Sequence, residues 1–88
     1  MHEELRLREE FEQAVAAYER AEAGGDWHQR EVSARAAFAV AYQLSRCYRQ
    51  IGEKGQATAW GKRAGEWCDK ELEAVWDEGA EEWPGSAS

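Results

Sequence analysis

Apolar residues recur at Leu7, Phe11, Ala14, Tyr18 and Ala21, in steps of four, three, four and three. That spacing puts all five on one face of an α-helix, while Glu3, Glu9, Glu12, Glu19 and Arg20 fall mostly elsewhere. The pattern predicts an amphipathic helix of about 20 residues. Gly24 and Gly25 end it, since a left-handed cap costs glycine little. Asp26 followed by Gln29 has the form of a capping box and starts a second helix, with no breaker before Gly52. Along it Trp27, Ala34, Phe38, Ala41, Leu44, Tyr48 and Ile51 make one apolar stripe, and Ala36, Val40 and Cys47 a neighbouring one. A helix with two apolar stripes belongs between two others. Five of the eight residues from Ala34 to Ala41 are alanine, which favours the helix and lets neighbouring backbones come close.

After the turn GEKG a third helix is marked by Ala57, Trp60, Ala64, Cys68, Leu72 and Val75, with Trp67 beside them. Gly61 and Gly65 weaken it by roughly 1 kcal/mol each relative to alanine, so they are expected where helices touch. Gly79 is expected to begin its fraying, and the tail WPGSAS to be poorly ordered. The sequence thus predicts an all-α chain, a three-helix antiparallel hairpin array, as one domain over residues 1–83 with a flexible tail at 84–88.

Composition agrees with a single unit. The chain has 88 residues, 43% hydrophobic and 33% charged, with one proline, which suits one modest core and no second domain. Its longest uncharged run, Ala36 to Ser45, has ten residues, against the roughly 20 a membrane-spanning helix needs. The N-terminal MHEELRLREE has no apolar signal-peptide core, and the expected location is the cytoplasm.

The net charge of -7 argues against nucleic acid and anionic membrane as general partners. It is unevenly spread: seven acids and three bases in residues 1–25, two and four in 26–52, nine and four in 53–88. Cys47 and Cys68 fit neither a disulfide framework nor a metal-ligand spacing. Across a hairpin turning near Glu53 their axial offset is roughly 12 Å, beyond the roughly 7 Å between Cα atoms that a disulfide tolerates, so both are expected as free thiols.

The segment from Phe38 to Gly65 places Leu44, Ser45, Tyr48, Gly52, Ala57 and Ala64 at a recognisable spacing. It resembles one tetratricopeptide (TPR) repeat, with its L-G/A-x-x-Y stretch, turn glycine and two alanines. FEQAVAAYERA, 43 residues upstream of KGQATAWGKRA, shares Gln13/Gln56, Ala14/Ala57, Ala16/Ala59, Arg20/Arg63 and Ala21/Ala64. This longer period is similar to the extended repeats of the kinesin light chain type, and the resemblance covers about one and a half repeats. Gly61 stands where the family usually has an aromatic, with Trp60 one place earlier. A repeat buries its face against neighbours, so the section holding Trp76 and Trp83, or a second copy of the chain, is expected to replace the missing ones.

Arg35, Ala39, Tyr42, Arg46 and Arg49 follow steps of four, three, four and three, giving the middle helix a basic face with an aromatic in it. The resemblance implies that this helix lines a concave surface, where family members use basic residues to hold a peptide carboxylate. Arginine suits that through bidentate hydrogen bonds. The other reading is that these arginines only pair with acids on flanking helices. Trp60/Trp67 and Trp76/Trp83 are two i, i+7 pairs on different sides of the third helix, so both cannot face one core. Trp76 and Trp83 either fold back as a lid or form an exposed interface. Glu66, Asp69, Glu73 and Asp77, joined by Glu81 and Glu82, form an acidic stripe that reads as a solvated face. It is also able to meet the basic stripe of another copy of the chain or mimic the phosphate pattern of nucleic acid.

Nothing in the sequence has the form of a catalytic group, a phosphate loop or a metal site, and His2 and His28 read as surface residues. No cofactor is expected. The chain is thus expected to be a non-catalytic adaptor that binds a peptide or partner helix through Arg35, Tyr42, Arg46 and Arg49. The alternatives are an acidic inhibitor of a basic nucleic-acid-binding protein and a self-assembling unit such as a homodimer.

Overall fold

A computed structural model of the chain describes residues 3–82, with side chains described for residues 3–76. Three α-helices follow one another: α1 at Glu3–Gly24, α2 at Trp27–Gln50 and α3 at Lys54–Glu82. No strand occurs among the described residues. The architecture is an all-α array of antiparallel hairpins.

Both reversals use the same device. Gly25 (φ 71°) and Gly52 (φ 85°) adopt the left-handed conformation, and each closes a Schellman motif. At the first turn the Asp26 N–H donates to the Ala21 carbonyl at 2.9 Å and the Gly25 N–H to that of Glu22 at 3.3 Å. At the second, Glu53 donates to Tyr48 at 2.9 Å and Gly52 to Arg49 at 3.2 Å. Asp26 then caps α2, its carboxylate accepting from the Gln29 N–H at 3.1 Å. The expected capping box is therefore only half made, because the Asp26 N–H that Gln29 was to satisfy already serves the Schellman motif. The second turn is shorter than GEKG: Lys54 and Gly55 belong to α3. At its other end α3 continues through Gly79 to Glu82 rather than fraying at the glycine. Trp83 and the tail at 84–88 lie outside the described residues.

The helices bury stripes with a 3.5-residue period. On α1 the predicted Leu7, Tyr18 and Ala21 are buried, and Phe11 and Ala14 partly so. On α2 the buried set includes Arg30, Ala34, Ala37, Ala41, Leu44 and Tyr48, in alternating steps of four and three. On α3 the stripe is Ala57, Trp60, Ala64, Trp67, Glu71 and Ala74, with Glu71 half-buried. This is the spacing of coiled-coil packing, which drifts by roughly 20° per heptad against a straight helix. Beyond Ala64 it corrects the expected face, since Trp67 and Ala74 point inward while Leu72 and Val75 are exposed and Cys68 is half-buried.

The second stripe of α2 also differs from expectation. Ala36 is exposed and Val40 and Cys47 only half-buried, whereas Ser33, Ala37 and Ser45 are buried. The neighbours approach on the side where side chains are small. There the Ser45 hydroxyl donates to the Ala57 carbonyl at 2.8 Å, and a Cβ at Gly61 would stand 3.4 Å from the Ser45 Oγ. Gly61 thus marks a close crossing. Gly65 does not, as a Cβ there would meet nothing within 4 Å. Ile51, placed on the main stripe by its spacing, is the C-cap (φ -92°, ψ 5°) and lies exposed beyond the last helical turn.

α2 packs against both other helices, while α1 and α3 nowhere bring Cα atoms within 8 Å of each other. Rings bridge that gap: Phe11 meets Trp60 edge-on at 5.0 Å and Tyr18 meets Trp67 at 5.0 Å. Phe11 and Phe38 join the two core clusters, one around Leu44 and Trp60, the other around Ala37 and Trp67. Leu44 is fully buried, which contributes about 2–3 kcal/mol relative to exposure. The result is elongated, 52 × 20 × 14 Å. Its radius of gyration is 15.1 Å, against about 12 Å for a compact chain of this length.

Candidate functional site

The outward face of α2 is the side turned away from both neighbours. It begins at Arg35, whose Nε donates to Glu71 Oε2 at 2.9 Å and whose Nη2 donates to Glu31 Oε1 at 3.0 Å. The hydrogen bond to Glu71 and the Glu71 charge, with a further contribution from Glu31, raise the Arg35 pKa against the opposing effect of desolvation. A guanidinium raised above its ordinary value stays charged throughout the neutral range. Its ion pairs therefore persist across the neutral range and are lost only in strong alkali, as the pH rises through the raised value. Arg35 is thus committed within the fold, the outcome that flanking acids predicted for it.

About two to four turns further along, the surroundings change. Tyr42 is 52% exposed, its ring 6.4 Å from that of Phe38 and tilted 40° to it. The Arg46 guanidinium lies 6.0 Å over the Tyr42 ring, within cation–π range. Arg46 and Arg49 are exposed, and among the described residues neither has a carboxylate partner. The structure therefore brings Tyr42, Arg46 and Arg49 onto one open face and holds Arg35 aside at its end. Two guanidinia without a carboxylate partner among the described residues stand out in a chain with 18 acids and 11 bases.

The remaining candidates separate. Trp76 is 72% exposed and Trp60 and Trp67 are buried, so at Trp76 the lid reading fails. Trp83 lies outside the described residues. Glu66, Asp69 and Glu73 are exposed, as a solvated face requires. Asp77, Glu81 and Glu82 lie on α3 beyond the last described side chain. His28 is exposed and His2 outside the described residues. Cys47 and Cys68 are free. Among the described residues no three His, Cys, Asp or Glu side chains are grouped to hold a metal.

Two clusters escaped the sequence reading. Arg30 is buried, its guanidinium 4.8 Å over Trp27 and 5.8 Å over Tyr18, with Nη2 donating to the Tyr18 hydroxyl at 3.5 Å. Lys70 stands 5.6 Å over Tyr18 and 5.4 Å over Trp67. Arg30 occupies a place in the 3.5-residue stripe four residues before Ala34, which was the signal for it. Second, Arg63 and Arg8 approach the Trp60 ring at 4.4 and 5.9 Å in an open cleft of about 570 Å³ between α1 and α3. Glu9 and Glu12 also line it, so its charge is balanced.

No helix among the described residues is long and apolar enough to cross a membrane. Comparison of the chain with protein-family models, with curated proteins and with solved structures finds no match.

Proposed function

We propose that the chain is a tetratricopeptide-like, non-catalytic interaction module that binds an acidic peptide or partner helix on the outward face of α2. The observation that carries this reading is the pairing of an exposed Tyr42 with Arg46 and Arg49, two arginines without carboxylate partners among the described residues of an acid-rich chain. A ligand carboxylate accepts bidentate, charge-assisted hydrogen bonds from either guanidinium, and the Tyr42 ring offers rigid apolar area at small entropic cost.

The packing beneath supports the repeat-like part of the reading. Leu44, Ser45 and Tyr48 are buried against α3, Gly52 turns the chain with positive φ, and Ala57 and Ala64 are buried opposite. Each position behind the resemblance does the physical task its residue type suits. Arg35 leaves the contact set, because Glu71 and Glu31 occupy it.

The test is an array of acidic peptides with free and amidated C-termini, probed with the full chain. Capture is expected, and Arg46→Glu with Arg49→Glu should reduce it by about 100-fold or more, since hydrogen bonds to charged groups are worth roughly 1.5–3 kcal/mol each. Circular dichroism of the double variant should stay helical. Binding that survives the charge reversal refutes the proposal.

A further inference from the structure

The stripe that α3 buries leaves another with the same period beside it. Gly61, Gly65, Cys68, Leu72 and Val75 follow steps of four, three, four and three, and the sequence continues the series at Gly79. A 3.5-residue repeat sustained along one side of a helix is the pattern of a helix–helix seam. Toward α2 this stripe is covered only in part, where Gly61 passes Ser45 and Cys68 is half-buried. Its far end is open: Leu72 is 53% exposed, Val75 42%, and the adjacent Trp76 most of all. From Gly61 to Val75 the stripe is graded by size, from two glycines to large apolar residues.

Charge is graded in the same direction. From Lys54 to Gly65 the helix has Lys54, Lys62 and Arg63 and no acid, whereas from Glu66 to Glu82 it has eight acids and one base, Lys70. This order opposes the helix macrodipole, which favours acids at the N-terminus and bases at the C-terminus. The first turn of α3 has no acid and its last turn no base. α1 has the favourable acids Glu3 and Glu4 in its first turn but no base in its last, and α2 has Asp26 at its N-cap and Arg49 in its last turn.

One occupant answers both gradients. We propose that α3 pairs antiparallel with α3 of a second copy of this chain, about a dyad near Lys70. In that register Val75 of one copy faces Gly65 of the other, Leu72 faces Cys68, and Trp76 falls level with Ala64. Val75 then fills the space over Gly65, and Lys62 and Arg63 of each helix come level with Glu78 and Asp77 of its mate. A parallel in-register arrangement would instead set Asp77 and Glu78 against their own copies and Gly65 against Gly65. The two Cys68 residues are separated along the axis by roughly four residues, about 6 Å, within reach of a short thiol cross-linker. This pairing is independent of the Tyr42–Arg49 surface, which lies on another helix.

Gly65 supplies the decisive variant. A side chain there meets nothing within 4 Å in the single copy and raises helix propensity, yet fills the space assigned to Val75 of the second copy. In analytical ultracentrifugation the wild-type chain is expected to sediment as a dimer. Gly65→Gln should weaken dimerisation at least about tenfold, as for truncation or blocking at an interface centre, while its helical circular dichroism and melting temperature as a monomer do not fall. A Cys47→Ser chain treated with a short bismaleimide should give a Cys68-linked dimer, lost on adding Gly65→Gln. A wild-type chain that sediments as a monomer throughout, a Gly65→Gln chain that dimerises as well as wild type, or a Cys47→Ser chain that does not cross-link would each overturn the pairing.

Discussion

One substitution, glycine to alanine, should change sign with its position in this chain. At Gly25 and Gly52 the backbone is left-handed, with φ of 71° and 85°, and a Cβ would meet nothing within 4 Å at either. Steric clash with neighbours is therefore excluded, and only the conformational cost remains. The left-handed region costs an L-residue roughly 1–2 kcal/mol, partly offset by about 0.4–1 kcal/mol gained through a less flexible unfolded chain. The net expectation is a loss of about 1 kcal/mol for Gly25→Ala and the same for Gly52→Ala. At Gly65 the surroundings are equally open, but the residue lies inside α3, where alanine is favoured over glycine by about 1 kcal/mol.

The two kinds of site should thus differ by about 2 kcal/mol in opposite directions. For a domain of this size that separates their melting temperatures by about 8 °C or more. Thermal and urea unfolding followed by circular dichroism, at concentrations where sedimentation shows the monomer, measures it. The two turns share no contacts, so Gly25→Ala with Gly52→Ala should lose the sum of the single effects. If Gly52→Ala and Gly65→Ala shift stability in the same direction, the assignment of the turns as left-handed caps is wrong.

Leu44→Ala should cost about 2–5 kcal/mol in urea unfolding, because the side chain is fully buried between two helices and leaves a cavity. Ser45→Leu should destabilise by about 1–3 kcal/mol or more, since the close crossing at Ala57 and Gly61 has no room for it. Ser45→Ala should cost about 1 kcal/mol or less, as only one side-chain hydrogen bond is lost. In acrylamide quenching of the monomer, Trp76→Phe should remove a readily quenched component of the fluorescence, whereas Trp60→Phe and Trp67→Phe should remove shielded ones. An unchanged quenching profile in the Trp76→Phe chain would contradict its exposure.

Helix number, order and both turn glycines were legible because each rests on local chemistry: apolar periodicity, an Asp cap and left-handed glycine. The face of α1 was legible for the same reason. The far half of α3 was not, because the choice between Trp67 and Cys68, or between Ala74 and Val75, turns on whether the helix packs with period 3.5 or 3.6. Only the neighbours decide that. Ala36 was misplaced because alanine sits as readily in water as in a core. At the candidate site, Tyr42, Arg46 and Arg49 were readable as a face from spacing alone. That Arg35 would be taken by Glu71 was not, since the two are 36 residues apart in the chain. Arg30 was hidden by its charge, which spacing placed in the core and composition placed outside it.

Because α1 and α3 meet through rings while their backbones stay apart, nearly all long-range order in this fold passes through α2. Each pairing joins helices adjacent in the chain across a turn of two or three residues. Contacts of such low sequence separation favour rapid folding, with either hairpin able to form first. The same arrangement sets the order of opening. α1 or α3 can detach by giving up one neighbour, but α2 is released only when both have gone. In hydrogen exchange its central amides should therefore report global unfolding, and those of the outer helices should exchange through cheaper, partial openings.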